Sequence, residues 1–195
     1  MRPSALLWLV TAPLLATAPM PGWWTAFTRM PGLESRFRQE SDSAVLGKLA
    51  REGRLALAQG GRLRVAYQSG LTVTCDGRRL VQYDPDTRTA QGVELARAVR
   101  DFPLLGILLN PARLDKLYRV QAAGGEAVKL SPKEPGLPEL KATGRRGLLH
   151  TLEWTDPTGA RQRLELLDPK SPVTLAPGTF KAQVPEGTRW ATPNG

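Results

Sequence analysis

The stretch that decides the fold of this chain reads GRLRVAY at residues 61–67, LTVTCDG at residues 71–77 and LVQYDP at residues 80–85. Each run alternates apolar with polar residues, which is the pattern of a strand with one buried face. Asp76-Gly77 separates the second run from the third, and Asp-Gly between alternating runs is the strongest short-range signal of a β-hairpin. The stretch therefore predicts an antiparallel meander of three strands.

One face of this meander is apolar and the other is polar. Alternation places Leu63, Val65 and Tyr67 on one face of the first strand, and Arg62 and Arg64 on the other. An apolar sheet face is stable in water only when something covers it, so another part of the chain must pack there.

Length and composition indicate one globular domain rich in strands. The chain has 195 residues, of which 41% are hydrophobic, so it can bury a sizeable core. Nineteen glycines and 17 prolines are spread at short intervals, which favours many strands and turns over a helical bundle.

The chain is strongly basic, with 27 Lys and Arg residues against 18 Asp and Glu residues and a net charge of +9. A basic surface attracts nucleic acid, anionic lipid or acidic protein. The positive charges stand singly or in pairs, however, and few aromatic residues interleave with them, so the stacking platform of a single-strand binder is not visible. We expect a solvated, arginine-rich surface and no nucleic-acid binding.

The residue types that catalysis or metal binding needs are scarce. Cys75 is the only cysteine and His150 the only histidine, which excludes an intramolecular disulfide and argues against a metal cluster or a His-dependent triad. His150 lies in a strand-like run, where a position on the polar face is the simplest interpretation. We expect no enzyme activity, no cofactor and no metal site.

Three acidic residues close together in the sequence could suggest a cation site. They are Asp76, Asp84 and Asp86. Because Gly77 and Pro85 stand beside them, we interpret all three as turn formers.

The first 18 residues have the features of a secretory signal peptide. Arg2 supplies positive charge, the stretch from Ala5 to Ala18 is apolar, and Ala16-Thr17-Ala18 is an A-x-A site. The stretch is shorter than the roughly 20 residues that a membrane span needs. Pro19 disfavours cleavage directly after Ala18, so the position of the cut stays open. We expect export to the periplasm and a single mature domain over residues 19–195, with its one thiol buried on a strand.

Helical spacing occurs near the N-terminus. Trp23, Trp24 and Phe27 begin an amphipathic pattern that Pro31-Gly32 interrupts. After this break we expect one further helical turn running into Phe37 and a strand from there on.

A second helical region follows the meander. Leu95, Val99 and Phe102 form one stripe over residues 95–102, and Pro103 can open another helix at its first position. The run at residues 104–109 is apolar nearly all round. Such a helix is either a buried core helix or one that meets an apolar ligand, and the residues alone leave both interpretations open.

The remaining alternating runs bring the total to about eleven strands. The candidates are residues 46–58, 87–94, 117–122, 127–131, 140–143, 147–155, 162–167 and 179–184.

Several short motifs follow one another in a characteristic order over residues 33–188. They are Phe37-Arg38-Gln39, Gly47-Lys48-Leu49, residues 61–67, Asp76-Gly77, Tyr83-Asp84-Pro85, Pro103 with residues 104–109, residues 130–133, and Phe180 with residues 184–187. Each motif is weak alone, but their order and spacing resemble those of the periplasmic lipoprotein carrier family LolA. The resemblance implies a mainly β (α+β) fold: an incomplete antiparallel β-barrel of about eleven strands with an N-terminal helix and a short helical lid.

The resemblance also implies a function. The protein would shield the acyl chains of lipoproteins during transfer from the inner to the outer membrane, as a monomer. Its partners would be acylated lipoproteins, an inner-membrane lipoprotein-release transporter and an outer-membrane acceptor. The acyl chains would lie between a sheet wall and a lid. The expected wall consists of Leu49, Leu55, Leu57, Leu63, Val65, Tyr67 and Val73. The expected lid consists of Leu95, Val99, Phe102, Leu104, Leu105, Leu108 and Leu109.

Three positions depart from the family pattern. Gln59-Gly60 stands where the family carries Arg-Pro, whose arginine ties the lid to the barrel. Cys75 replaces the usual serine before Asp-Gly, and Val65 replaces an aromatic residue of the central strand. Two alternatives therefore stay open, a paralogue that binds another lipid and an envelope lipid-sensing or regulatory module. A periplasmic hydrolase would need a nucleophile with a base, and the sequence offers none.

Overall fold

The computed structural model of the protein describes residues 19–101, 103–109 and 114–191. The expected signal peptide, residues 1–18, lies outside the described residues. The helices are α1 (Gly22–Arg29), α2 (Leu95–Asp101), α3 (Pro103–Leu109) and α4 (Leu114–Leu117), and a 3-10 helix spans Pro177–Phe180. The strands are β1 (Gly32–Ser43), β2 (Gly47–Ala58), β3 (Arg62–Tyr67), β4 (Thr72–Asp76), β5 (Arg79–Asp84), β6 (Thr89–Glu94), β7 (Tyr118–Ala122), β8 (Ala127–Pro132), β9 (Leu140–Arg145), β10 (Leu148–Thr155), β11 (Arg161–Leu166) and β12 (Arg189–Ala191).

All twelve strands belong to one sheet, in the order β12-β6-β5-β4-β3-β2-β1-β11-β10-β9-β8-β7. Every neighbouring pair is antiparallel except β12 and β6, which run parallel. The sheet is open, with β12 and β7 at its edges in the described part of the chain. The expected mainly β fold, an incomplete barrel with few helices, is confirmed, and the sheet has one strand more than the eleven expected.

The Asp76-Gly77 hairpin forms as the sequence predicts. The Asp76 carboxylate accepts hydrogen bonds from the backbone N–H groups of Arg79 and Arg78, at 2.9 and 2.8 Å, and these bonds lower the pKa of Asp76. Gly77 has a φ of +102°, and a Cβ there would lie 2.5 Å from the carbonyl oxygen of Gly60. Only glycine fits this turn, because both the conformation and the space exclude a side chain.

The chain departs from the sequence prediction after the first break. The structure has no further helical turn before Phe37, because β1 already begins at Gly32. Leu33, Ser35 and Phe37 are buried and alternate with more exposed residues, so a period of two is satisfied from the start of the strand. A Cβ at Gly32 would lie 2.5 Å from the carbonyl oxygen of Val173, which places this strand start directly against the C-terminal segment.

The strand expected at residues 179–184 is also absent, and a 3-10 helix at Pro177–Phe180 stands in its place. Proline at the first helical position fixes φ and turns the chain. Phe180 is then buried as a single anchor, with the Arg62 guanidinium 5.4 Å from its ring centroid. The sequence did not predict α4 or β12, which have four and three residues.

The core lies on one side of the sheet, called here the inner face, which α1, α2 and α3 cover. Trp23 of α1 packs directly over Gly144, where a Cβ would lie 2.2 Å from the indole ring. The same indole donates its Nε1–H to the carbonyl oxygen of Glu126, at 3.0 Å. The opposite side, called here the outer face, carries the C-terminal segment. Among the described residues, no helix is both long and apolar enough to cross a membrane.

One buried hydroxyl lacks a partner. Tyr118 is 1% exposed, and its Oη has no hydrogen-bond partner in the described part of the structure. Burial raises the pKa of Tyr118 to about 12. A buried hydroxyl without a hydrogen bond costs on the order of 1–3 kcal/mol of stability.

We therefore expect Tyr118→Phe to stabilise the protein by about 1 kcal/mol or more, because it removes that desolvated group and keeps the ring. The matched control is Tyr67→Phe, which removes a hydrogen bond of 3.2 Å to Gln39 and should destabilise by about 0.5–1.5 kcal/mol. Urea unfolding of the two variants measures both changes. A loss of stability in Tyr118→Phe would contradict the assignment of an unpaired hydroxyl.

Candidate functional site

A continuous row of apolar side chains crosses the inner face. Strand pairing places its members opposite one another on six neighbouring strands. From β1 to β6 they are Leu33, Leu57, Leu63, Cys75, Leu80 and Val93. All except Val93 are buried, and Val93 packs against the same core. This row is the floor of the candidate site.

A second row lies beside the first, in the direction of the β1–β2 turn. It runs Ser35, Leu55, Val65, Val73 and Gln82 across β1 to β5. Leu55 is buried, and Val65 and Val73 are half-buried. The apolar character of the face therefore fades towards its Gln82 end.

Two aromatic rings bound this apolar area. Phe37 and Tyr67 lie on either side of Gly53 in the sheet, and their rings meet edge to face at 5.4 Å. A Cβ at Gly53 would lie 2.9 Å from the Phe37 ring, so the glycine makes room for this contact. Tyr67 donates its hydroxyl to Gln39, and burial raises its pKa while the nearby Arg51 lowers it. Polar side chains thus begin where the apolar rows end.

The expected wall residues are brought together with one exception. Six of the seven belong to the two rows or to the aromatic pair. Leu49 lies on the same side of β2, but 50% of it is exposed. β3 ends at Tyr67, opposite Gly53, so the part of β2 that contains Leu49 runs on without a neighbour on that side. The periodicity alone could not locate the end of β3.

Helices α2 and α3 cover this part of the inner face. Leu95 begins α2, donates its backbone N–H to the Arg78 carbonyl at 2.7 Å, and rests on Gly61, where a Cβ would lie 2.9 Å from its side chain. Leu108 and Leu109 of α3 are buried in the core.

The two lid helices also pack against each other. A Cβ at Gly106 of α3 would lie 3.1 Å from Val99 of α2. Val99 and Leu105 are half-buried, and Leu105 packs against the core. The expected lid residue Phe102 lies outside the described residues. Leu104 belongs to α3, but its side chain lies outside the described part of the structure.

Gln59, which stands in place of the family's arginine, contacts a different element. Its side-chain amide donates to the carbonyl oxygen of Arg29 at 3.3 Å, and its backbone N–H donates to Pro31 at 3.3 Å. Both bonds tie the β2–β3 turn to the segment after α1. The lid meets this turn through Leu95 on Gly61 instead, which is an apolar contact.

The other half of the inner face was not predicted as wall. It is formed by buried residues of β7 to β11 and is covered by α1. Its members are Tyr118, Val128, Leu130, Leu140, Ala142, Leu149, Leu152, Leu164 and Leu166. In α1, Trp23 and Trp24 meet edge to face at 5.6 Å. The alternation of these strands and the spacing of the tryptophans were visible in the sequence, but not the fact that one sheet joins both halves.

The reactive side chains do not form a catalytic arrangement in the described part of the chain. Cys75 is fully buried, as expected, and burial raises the pKa of its thiol. His150 lies at a β-bulge rather than on a regular polar face, where its Nδ1 donates to the Leu166 carbonyl at 2.9 Å and its Nε2 lies 3.5 Å from Glu165. Within the described ranges, no group of three or more His, Cys, Asp or Glu residues could hold a metal ion. The arrangement can bind an apolar ligand, and its described residues offer no group placed for bond cleavage.

Solved structures of low sequence identity share this fold. A crystal structure of an uncharacterized conserved protein from Thermus thermophilus has a TM-score of 0.52 and 13% identity, with 87% of this chain and 95% of that chain covered. A LolA superfamily protein from Nitrosomonas europaea has a TM-score of 0.47 and 10% identity, over 79% of this chain and 91% of that one. A putative outer membrane lipoprotein-sorting protein domain from Vibrio parahaemolyticus has a TM-score of 0.45 and 10% identity, over 80% and 92%. No curated protein sequence matches the chain significantly.

The family is identified by the sequence itself. The family model for the outer membrane lipoprotein carrier protein LolA matches residues 29–183, which include the apolar rows of the inner face and the helices that cover them. The chain therefore belongs to the LolA family of outer membrane lipoprotein carrier proteins.

Proposed function

We propose that this protein is a periplasmic carrier that shields the acyl chains of lipoproteins between the inner and the outer membrane. The observation that carries the proposal is an apolar face six strands wide that is covered by two helices of only seven residues each. Isolated helices of fewer than about 12–15 residues are marginal in water. Apolar contact with the sheet therefore holds the lid, and an apolar ligand can compete for the same contact.

The energetics of such an exchange suit a carrier. An acyl chain exposed to water costs about 25 cal/mol per Å² of apolar surface, and the uncovered inner face would cost the same. When the chain replaces α2 and α3 on the sheet, one apolar contact replaces another. Loading and release then need only a modest difference in affinity, which a membrane-bound partner can supply.

The remaining parts of the proposal follow from the sequence and the family. The expected signal peptide at residues 1–18 directs a single domain, residues 19–195, to the periplasm. Lipoproteins would be received from an inner-membrane release transporter and passed to an outer-membrane acceptor. The protein would act without chemistry. In support, neither ring nitrogen of His150 hydrogen-bonds a serine, threonine or cysteine side chain in the described part of the chain.

The cargo is identified by mass spectrometry of what co-purifies with the protein from its native envelope. An acylated lipoprotein supports the proposal. A free phospholipid or another lipid would instead identify a paralogue with a different cargo, and a stoichiometric partner protein without lipid would favour a regulatory module.

We predict that Leu105→Arg weakens the binding of a fluorescent long-chain acyl probe by at least about tenfold. The half-buried Leu105 packs against the core, so a guanidinium there places a charge between the lid and the acyl chain. The control is Leu46→Arg, because Leu46 is 72% exposed at the β1–β2 turn. Fluorescence titration of both variants measures the difference.

A second variant guards against misfolding of the lid. Val73→Arg changes the wall at a half-buried position and should also weaken probe binding by at least about tenfold. Thermal unfolding confirms that each variant is folded. Wild-type affinity in folded Leu105→Arg and Val73→Arg would contradict the lid-and-wall arrangement.

The native thiol reports on lid opening. Cys75 belongs to the floor row, and α2 packs on the neighbouring strand β5. A thiolate is the reactive form, so burial and the raised pKa both slow its reaction. We predict slow reaction with a disulfide reagent at neutral pH, and reaction at least about tenfold faster in Leu105→Arg but unchanged in Leu46→Arg. Equal rates in the wild type and Leu105→Arg, measured by absorbance, would show that α2 and α3 do not gate this face.

A further inference from the structure

A groove of about 670 Å³ lies on the outer face, on the side of the sheet away from the lid. Its floor is formed by β1, β2 and β3, and one wall is the C-terminal segment at Leu175 and Thr179. Ala56 and Ala66 line the floor. Because their side chains are single methyl groups, the groove stays open between larger neighbours.

Three arginines line this groove on adjacent strands. Arg36 of β1 stands directly opposite Arg54 of β2. Arg64 of β3 is the diagonal neighbour of Arg54, since Arg54 pairs with Ala66 and Arg64 pairs with Ala56. Like charges directly opposite each other destabilise a sheet. The Arg36–Arg54 pair is therefore a local cost that the fold does not require.

The acidic side chains at the groove are already engaged by other cations. Asp168 forms an ion pair of 3.1 Å with Arg36 and accepts its backbone N–H at 2.7 Å, and these contacts lower the pKa of Asp168. Glu34 lies 3.9 Å from Lys170. Arg54 and Arg64 have no carboxylate within ion-pair distance among the described residues. Two guanidinium groups thus line a groove with their charges unmatched.

We propose that this groove binds an acidic segment of a partner protein, in an extended conformation, with two carboxylates on Arg54 and Arg64. Guanidinium groups bind carboxylates in a bidentate geometry. Diagonal neighbours on a sheet lie about 7–8 Å apart, and alternate residues of an extended peptide are separated by about 6.6 Å, from a rise of about 3.3 Å per residue. An acidic residue at every second position therefore fits the two arginines. The groove volume lies within the range of roughly 300–1,000 Å³ that is usual for small ligand sites.

The surroundings favour a peptide over a bilayer or a single phosphate group. Glu34 and Asp168 stand beside the arginines and would repel a continuous anionic surface, while they leave room for separate carboxylates. One phosphate group would match the charge but would leave most of the groove empty. Because the groove lies on the face away from the lid, the protein can hold an acyl ligand and this segment together. The inference does not depend on the proposed lipid cargo.

The test uses a six-residue peptide of alternating glutamate and alanine, with a glutamine-for-glutamate peptide as the uncharged comparison. Isothermal titration calorimetry at low salt compares the wild type with Arg54→Gln/Arg64→Gln and with the control Arg78→Gln/Arg119→Gln. The control removes the same charge at two exposed sites outside the groove. We expect the acidic peptide to bind at least tenfold more weakly to the groove variant and within twofold of the wild type to the control. The glutamine peptide should not bind.

Two further probes decide between sources of the anion. Inorganic phosphate that displaces the acidic peptide at equal concentration would overturn the proposal in favour of a simple anion site. Phosphatidylglycerol vesicles whose binding falls in the groove variant, while peptide binding is unchanged, would overturn it in favour of a membrane surface. Equal loss of peptide binding in the groove variant and the control would also overturn it, because the attraction would then come from net charge alone. Unchanged acyl-probe affinity in the groove variant separates this result from the proposed carrier function.

Discussion

The burial of one row of side chains, from Leu33 on β1 to Val93 on β6, is the constraint on which the structure depends. Each fully buried leucine in this row contributes roughly 1.5–3 kcal/mol relative to an exposed one. A shift of any strand by one residue would turn its apolar side chains to the outer face. The register of the meander and the need for a cover on the inner face therefore have the same origin.

The two halves of the inner face are covered in different ways. Over β9 and β10, Trp23 fills the space above Gly144 and its indole is hydrogen-bonded, so α1 is fixed by shape and by a polar contact. Over β2 to β6, α2 and α3 rest on the sheet through contacts such as Leu95 on Gly61. A cover that depends on apolar contact can be exchanged for another apolar body. This asymmetry is the physical basis of the carrier function that we propose.

The meander, the Asp76-Gly77 hairpin and the order of helix and strand after Glu94 could be predicted because each depends on residues close in sequence. The conformation of residues 177–180 could not, since Phe180 is buried by Arg62 and the strands beneath it. Leu49 has the periodicity of a wall residue, but its exposure depends on where β3 ends. Arg54 and Arg64 read as solvated charges in the sequence, and only strand pairing shows that they line one groove, where neither has a carboxylate partner among the described residues.

The most direct test of the inner face as the acyl-binding surface is methyl NMR with a fatty acid that carries a spin label near the end of its chain. The spin label broadens signals of methyl groups close to it. The account predicts that the methyl signals of Leu57, Leu63 and Val65 broaden on binding, while those of the exposed Leu46 and Leu167 stay sharp. Broadening confined to Leu46 and Leu167, or no broadening at a concentration that saturates the protein, would contradict it.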